Sequence, residues 1–419
     1  MPPAETNTLE LRLPRVLLDP GRSDLPCGDD QGLLSVRLHW RGAVVEAIEA
    51  IEASPAHPLA ITPLVDAHVH LDKAFSWDQF PNLSGSMEGA LAANWREGEQ
   101  RTTEQVLQRG TRALEQAWRY GLRALRSHVD SGSGCADPSW DALLSLQQQW
   151  SGRIDLQLVA LAPLPLWSSP DGNRLARRVA SAGGLLGGVI GPPFADSSRD
   201  RSSLRGLLAL AAELGCGIDL HIDESSQSPA AGLELLLGEL DRWHPGVPIT
   251  CSHASSLSLL PEGCVRHLAQ RLRQHRLAVV ALPTTNFWLL GRPQEHQQGR
   301  RPLAPVRLLQ QEGVAVAIGA DNVQDPWYPG GDFDPLELLR LAFRACHTPP
   351  WQRQGLMPFT TTPSALLNLA WDGVLRVGGP ADLLLTSAVS WSDFLARPPQ
   401  RRVLRQGQWL PAPESASLS

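Results

Sequence analysis

The stretch Leu64-Val-Asp-Ala-His68-Val-His70-Leu-Asp-Lys73 predicts a buried β-strand that ends in two histidines. Apolar residues alternate here with polar ones, and side chains two residues apart in a strand point the same way. Both imidazoles should therefore leave one face at the carboxyl end of the strand, where a divalent ion such as zinc or iron could bind. A His-x-His alone favours the simpler interpretation of a polar strand end, so the rest of the chain has to decide.

The same pattern of apolar run, turn and amphipathic segment repeats beyond residue 60. The predicted strands cover residues 62–70, 122–130, 154–162, 185–191, 217–223, 247–253, 277–283 and 314–320. Helical patterns lie between them, for example at residues 103–120, 141–150, 203–214, 231–242, 261–274 and 302–312. Eight strands alternating with helices predict an α/β fold, a (β/α)8 TIM-like barrel. The nearest alternative, an open doubly wound sheet, would be supported by a Gly-x-Gly-x-x-Gly loop, which the sequence lacks.

Metal-binding residue types stand at the ends of five of these strands. In a barrel the carboxyl ends of the strands meet at one rim, which is where barrel enzymes build their sites. Other histidines, such as His244 and His275, lie in helical or loop contexts and are predicted to be surface residues. The residues at the strand ends are His68, His70, His128, Asp130, His221, Glu224, His253, Asp321 and Asn322. Their coincidence predicts a metal site.

Composition and charge narrow the classes of protein that this chain can represent. Its 419 residues are 42% hydrophobic, which allows a large core. The net charge of −6 does not indicate a surface that binds nucleic acid. The sequence shows no basic segment followed by an apolar run at its start, so no signal peptide is expected. No apolar run is long enough to cross a membrane. The six cysteines form no Cys-x-x-Cys, so neither a zinc ribbon nor a disulfide framework is indicated. We expect a cytoplasmic protein.

Lys73 is the only lysine of the chain, whose other basic residues are all arginine. An ammonium is a compact, titratable point charge, whereas guanidinium is a planar and permanently charged fork. Lys73 could polarise a substrate carbonyl as a catalytic cation, or it could pair with a buried acid such as Asp130. The sequence leaves both roles open.

These residues resemble the amidohydrolase superfamily, and within it the cytosine deaminase-like branch. The resemblance covers roughly residues 60 to 385 and is carried by His68-x-His70-Leu-Asp, His221-Ile-Asp-Glu224, Ser-His253, and Asp321 followed by Asp-Pro-Trp-Tyr-Pro. It implies a barrel over residues 61–370 and a small β-sandwich built from both termini, residues 1–60 and 371–419. In the amino-terminal part, residues 34–40 and 43–51 are the clearest strand patterns. The resemblance also implies that the protein forms homo-oligomers.

The resemblance further implies one divalent metal ion per chain, Zn or Fe, with His68, His70, His221 and Asp321 as ligands. Bound water would lose a proton at a pH near about 7 and attack the substrate as metal-bound hydroxide. Glu224 would shuttle protons to the ring nitrogen and the leaving amine, and His253 with Asp321 would orient and deprotonate the water. On simpler interpretations, Glu224 caps a helix and His253 is a polar strand-end residue. A second metal bridged by a carbamylated lysine is excluded, because no lysine follows Lys73.

The sequence departs from enzymes that act on cytosine itself at two positions. They carry a glutamine after the third strand, where this chain has Leu161-Ala-Pro-Leu-Pro, and a second acid where it has Asn322. His-Leu-Asp-Lys together with Asp-Asn is closer to relatives such as N-isopropylammelide amidohydrolase. Trp327, Asn322 and Asp196 are the candidate substrate-binding residues, and Trp327 could stack on a flat ring.

The predicted function is hydrolytic deamination of a small aminated heterocycle, such as cytosine or a related pyrimidine or triazine. Hydrolysis of a cyclic or acyclic amide is the alternative within the same class, because the same metal hydroxide cleaves both kinds of bond. A non-catalytic metal-binding relative is the alternative outside it.

Overall fold

The chain builds a small two-sheet domain from both of its ends. The computed structural model describes residues 6–132, 136–191, 198–291 and 301–411. The first four strands are β1 (Thr6–Pro14), β2 (Leu33–Arg41), β3 (Val44–Ala50) and β4 (Ala60–Ile61). The last three are β13 (Leu383–Thr386), β14 (Arg401–Arg405) and β15 (Gln408–Trp409). One sheet has the order β1-β2-β3 and the other the order β15-β14-β13-β4.

The two sheets share one apolar core, which confirms the predicted β-sandwich. Leu11, Leu38 and Val45 of the first sheet pack in one cluster with Leu383 and Leu404 of the second. Strands β2 and β3 lie on the two patterns predicted at residues 34–40 and 43–51. The domain boundaries after residues 60 and 370 stay predictions.

Between these ends, eight parallel strands form the predicted barrel. They are β5 (Leu64–Val69), β6 (Leu122–Asp130), β7 (Asp155–Leu161), β8 (Leu185–Ile190), β9 (Ile218–Ile222), β10 (Ile249–His253), β11 (Ala278–Ala281) and β12 (Ala315–Ile318). Each strand pairs with its neighbours in chain order. The sheet closes where the Asp321 N–H donates to the His68 carbonyl at 2.8 Å. All eight lie on the predicted runs.

Helices connect the strands and cover the outside of the barrel. They are α1 (Met87–Gln100), α2 (Thr103–Tyr120), α3 (Ala136–Gln149), α4 (Pro170–Ser181), α5 (Ser198–Leu214), α6 (Ala231–Leu240), α7 (Glu262–Gln274), α8 (Pro283–Leu289), α9 (Val306–Gln311), α10 (Pro335–Ala345), α11 (Arg353–Leu356), α12 (Thr361–Leu366) and α13 (Trp391–Ala396). Helix α2 shows why the local predictions succeed, since Thr102 and Gln105 form a capping box and Gly121 ends the helix at φ 91°. None of the described helices is long and apolar enough to cross a membrane.

Strand β5 departs from the strict alternation predicted for it. Its register against β6 shifts on either side of the Val65–Asp66 pair, as at a β-bulge. Val65 and Ala67 pack in a small apolar cluster with Trp371, whereas Val69 packs in the main core. The three apolar residues therefore do not share one side, because a bulge changes which face the following residues occupy.

Candidate metal centre and active site

The histidines predicted from the strand ends lie together at one rim of the barrel. The ring centroids of His68 and His221 are 4.7 Å apart, and those of His221 and His253 are 4.9 Å apart. His70 lies 5.3 Å from His68, and all four side chains are buried. The predicted convergence of distant strand ends is therefore present in the fold.

The four predicted metal ligands form a compact group of donor atoms. One ring nitrogen from each of His68, His70 and His221 lies within 4.8 Å of the others. Asp321 Oδ1 lies 3.2 Å from His70 Nε2 and 3.6 Å from His68 Nε2. His68 Nε2 and both Asp321 carboxylate oxygens are buried and have no hydrogen-bond partner among the described residues. Three nitrogens and one oxygen suit a Zn²⁺ or Fe²⁺ ion, so the residues fit a divalent metal.

Electrostatics keeps these imidazoles available as ligands. Burial, and then the neighbouring imidazoles, lower the pKa values of His68 and His221 well below the usual range. Both rings are therefore neutral at pH 7, which is the form that binds a metal ion.

The backbone turns sharply where three of the site residues leave their strands. Asp223, His253 and Asp321 adopt φ angles of 55°, 70° and 64°. Residues other than glycine rarely adopt positive φ, and such conformations concentrate at functional sites. Asp223 is held by its carboxylate, which accepts from the Gly232 and Leu233 N–H groups at 2.8 Å each. The next residue, Glu224, is thereby carried into the rim.

Glu224 and His253 are joined by Asn286, a residue that the sequence analysis missed. Asn286 Nδ2 lies 3.2 Å from Glu224 Oε1 and 3.1 Å from His253 Nδ1, and Asn286 is fully buried. An amide nitrogen can only donate, so His253 Nδ1 accepts and the ring proton is on Nε2. Asn286 lies in α8, directly after β11, and a polar residue following a strand end was the available signal.

The pKa values of Glu224 and His253 are shifted in opposite directions. Burial, and then the charge of Asp321, raise the pKa of Glu224 well above its usual range. Burial lowers the pKa of His253 to about 4. The site therefore combines a carboxyl group whose protonated form is favoured with an imidazole whose neutral form is favoured.

Lys73 forms an ion pair with the half-buried Asp130, the partner expected in the second of its two predicted roles. Its Nζ lies 2.7 Å from Asp130 Oδ1, and Lys73 is 2% exposed. Burial opposes the ammonium charge, but Asp130 and Asp72 outweigh it and raise the pKa of Lys73. Lys73 is therefore charged and held in place. Its role as a catalytic cation stays a prediction.

Two of the candidate substrate-binding residues, Asn322 and Trp327, contact the same carboxylate, that of Asp325. Asn322 is buried and donates from Nδ2 to Asp325 Oδ2 at 2.8 Å. Trp327 packs with Ala90 of α1 and Leu290 after α8, and its backbone N–H donates to Asp325 Oδ1 at 2.9 Å. Asp196 lies outside the described residues.

His128 and Asp219 form a further group with His68, but its surroundings disfavour a cation. The ligand atoms of the three residues lie within 4.8 Å of one another. The Arg126 guanidinium, however, already contacts Asp219 Oδ2 at 2.8 Å. Since this carboxylate is already neutralised by a buried guanidinium, the group formed by His68, His70, His221 and Asp321 is the better metal site.

Comparison with known proteins identifies the class of enzyme that this fold and site define. Residues 85–410 match the amidohydrolase family, and the chain belongs to it. The protein is a hydrolase that acts on carbon–nitrogen bonds other than peptide bonds. The resemblance to this superfamily seen in the sequence is therefore confirmed.

Particular relatives include several deaminases. The chain is 34% identical over 357 residues to pterin deaminase of Rhizobium rhizogenes, which covers 82% of this chain and 78% of the relative. A structure of 5-methylcytosine deaminase from Klebsiella pneumoniae with 5-fluorocytosine has a TM-score of 0.81 and 25% identity, and covers 99% of both chains. N-isopropylammelide isopropylaminohydrolase from Burkholderia multivorans has a TM-score of 0.73 over 96% of this chain and 98% of its own. At 22% identity, this structural similarity shows a shared fold and nothing further.

Proposed function

We propose that this protein is a metal-dependent aminohydrolase that releases ammonia from a small aminated heterocycle. The observation that carries the proposal is the half-buried Glu224, 3.5 Å from His253 Nδ1, at the rim that also holds the four candidate metal ligands. The similarity to pterin deaminase and 5-methylcytosine deaminase supports the same reaction type. One Zn or Fe ion per chain, held by His68, His70, His221 and Asp321, would supply a Lewis acid and lower the pKa of water.

The side chains around the ligands divide the proton transfers between them. Glu224, whose pKa is raised, would donate a proton to a ring nitrogen and then transfer a proton from the attacking water to the leaving amine. His253 would donate from Nε2–H to the oxygen that attacks, because its Nδ1 already accepts from Asn286. Asp321 would take the other proton of the water and return it to Glu224, so that both carboxyl groups regain their starting states.

The substrate is proposed to be a flat aminated ring, with pterins ahead of cytosine. The glutamine of cytosine-specific enzymes is missing after β7, and pterin deaminase is 34% identical to this chain. Trp327 would stack on the ring and Asn322 would bind a polar edge.

The test is ammonia release by metal-loaded protein from aminated pterins, pyrimidines, purines and triazines. The Glu224→Gln variant keeps the size of the side chain but cannot shuttle a proton, so its kcat should fall by about 10²–10⁴-fold at unchanged metal content. Glu213→Gln, on the exposed end of α5, is the matched control and should keep full activity. Absence of ammonia release from every ring, with one metal ion bound per chain, would contradict the proposal and favour amide hydrolysis.

A further inference from the structure

Of the three histidine ligands, His68 is held by a buried chain of hydrogen bonds. Its Nδ1 lies 2.9 Å from Ser252 Oγ, and Ser252 Oγ donates to Asp219 Oδ1 at 2.7 Å. Asp219 Oδ2 in turn accepts from Arg126 Nη1 at 2.8 Å. All four residues are buried.

The chemistry of these groups fixes the direction of each hydrogen bond. A carboxylate paired with a guanidinium is an acceptor, so the single hydroxyl proton of Ser252 points to Asp219. Ser252 Oγ must then accept from His68, which places the ring proton on Nδ1. The remaining nitrogen, Nε2, carries a free lone pair and is the atom that lies 3.6 Å from Asp321 Oδ1.

We propose that Ser252 and Asp219 are positioning residues that fix the tautomer and the ring plane of His68 before the metal binds. A metal-binding histidine whose second nitrogen donates to a fixed acceptor is a better ligand, because both its orientation and its basicity are set in advance. His128 supports the same ring from one face, with ring centroids 3.7 Å apart and planes 22° apart.

The other two histidine ligands lack this support. Nδ1 of His70 and Nδ1 of His221 are buried without a hydrogen-bond partner among the described residues. His68 is therefore the preorganised member of the set, and the Ser252 hydroxyl should contribute to metal affinity although it does not touch the ion.

The experiment measures Zn²⁺ affinity of the apo full-length protein by competition with a chromophoric chelator. Ser252→Ala should weaken Zn²⁺ binding by about 10–100-fold. Ser252→Thr, which keeps the hydroxyl, should restore most of the affinity. Ser255→Ala is the matched control, since Ser255 is also fully buried but donates to the Asp223 carbonyl at 3.0 Å, and it should stay within about twofold of the parent protein.

A second measurement does not depend on the variants folding. In the cobalt-loaded parent protein, one ligand-ring N–H resonance in the paramagnetically shifted proton spectrum should exchange with D₂O more slowly than the others.

Three results would overturn the inference: unchanged Zn²⁺ affinity in Ser252→Ala, an equal loss in Ser255→Ala, or no Zn²⁺ binding by the parent protein. None of these measurements uses a substrate. Tight Zn²⁺ binding that depends on Ser252, without ammonia release from any ring, would therefore contradict the proposed function alone.

Discussion

Asn286 determines how the two proposed proton-handling groups face each other. Its Nδ2 lies within 3.2 Å of Glu224 Oε1 and 3.1 Å of His253 Nδ1, so one amide holds both side chains. The contact with Nδ1 leaves the His253 ring proton on Nε2, which has no hydrogen-bond partner among the described residues. In the proposed mechanism His253 is therefore a donor towards the site, and the role in deprotonating the water expected from the sequence stays a prediction.

Replacing Asn286 with alanine should therefore slow the proposed reaction without removing the metal. Glu224 and His253 would lose their common partner, and misplacement of catalytic groups by about 1 Å can lower a rate by about 100-fold. We expect kcat to fall by about 10–100-fold, measured as ammonia release, with one metal ion per chain retained.

The control for this prediction is Asn173→Ala on α4, where the lost hydrogen bond goes only to the Ser169 carbonyl. That variant should keep the parent kcat. Full activity in Asn286→Ala would show that Glu224 and His253 do not need the amide.

Helices α1 and α2 are tied to the barrel rim by one buried group of charges. The Arg101 guanidinium, in the short link between the helices, contacts Asp72 at 2.6 Å after β5, Asp130 at 3.1 Å in β6, and Glu97 of α1. Glu97 also accepts from Arg109 of α2 at 2.5 Å. Removing one member of such a group leaves the other charges unpaired in a low-dielectric interior. Unpaired buried charges destabilise the folded state.

Arg101→Leu should therefore lower the free energy of unfolding by about 3–5 kcal/mol, measured by urea denaturation. Arg177→Leu is the matched control, because its pair with Glu213 is exposed and should contribute no more than about 1 kcal/mol. Similar losses in the two variants would show that burial of the Arg101 group is not what stabilises this part of the rim.

Buried thiols make the stability of the whole protein sensitive to alkaline pH. Burial raises the pKa of Cys216 to about 11 and that of Cys346 to about 12. An unfolded cysteine has a pKa near about 8.5. Below that pH both states hold the proton and the thiols contribute nothing to pH dependence. Above it the unfolded chain releases protons that the folded chain retains, so stability falls as pH rises towards the folded pKa.

The free energy of unfolding should therefore decline above pH ~8.5 by about 1.4 kcal/mol per pH unit for each such thiol. Cys346→Ala should show a shallower decline, differing from the parent protein by about 2 kcal/mol at pH ~10 after alignment at pH ~8. Cys264→Ala removes an exposed thiol and should keep the parent slope. Identical slopes in all three proteins would show that Cys346 is not protected from ionisation.

Much of the fold and the first set of site residues could be predicted from the sequence, because their signals are local. The eight strands and helix α2 follow from apolar periodicity and from caps such as Thr102 and Gly121. Because the parallel strands of a barrel end at one rim, the sequence also predicts that the side chains at these ends lie close together, among them His68, His221, His253 and Asp321.

The tertiary structure alone decided which side chains support those residues. Asn286 lies 62 residues from Glu224, and Ser252 lies 184 residues from His68, so no local pattern links either pair. Lys73 could be predicted to pair with Asp130, but the Arg101 group around them could not. The alternating sequence of β5 likewise did not predict the irregular register of this strand against β6. Sequence periodicity reports which face of an element is buried, whereas hydrogen-bond partners and bulges depend on the positions of atoms in neighbouring strands and helices.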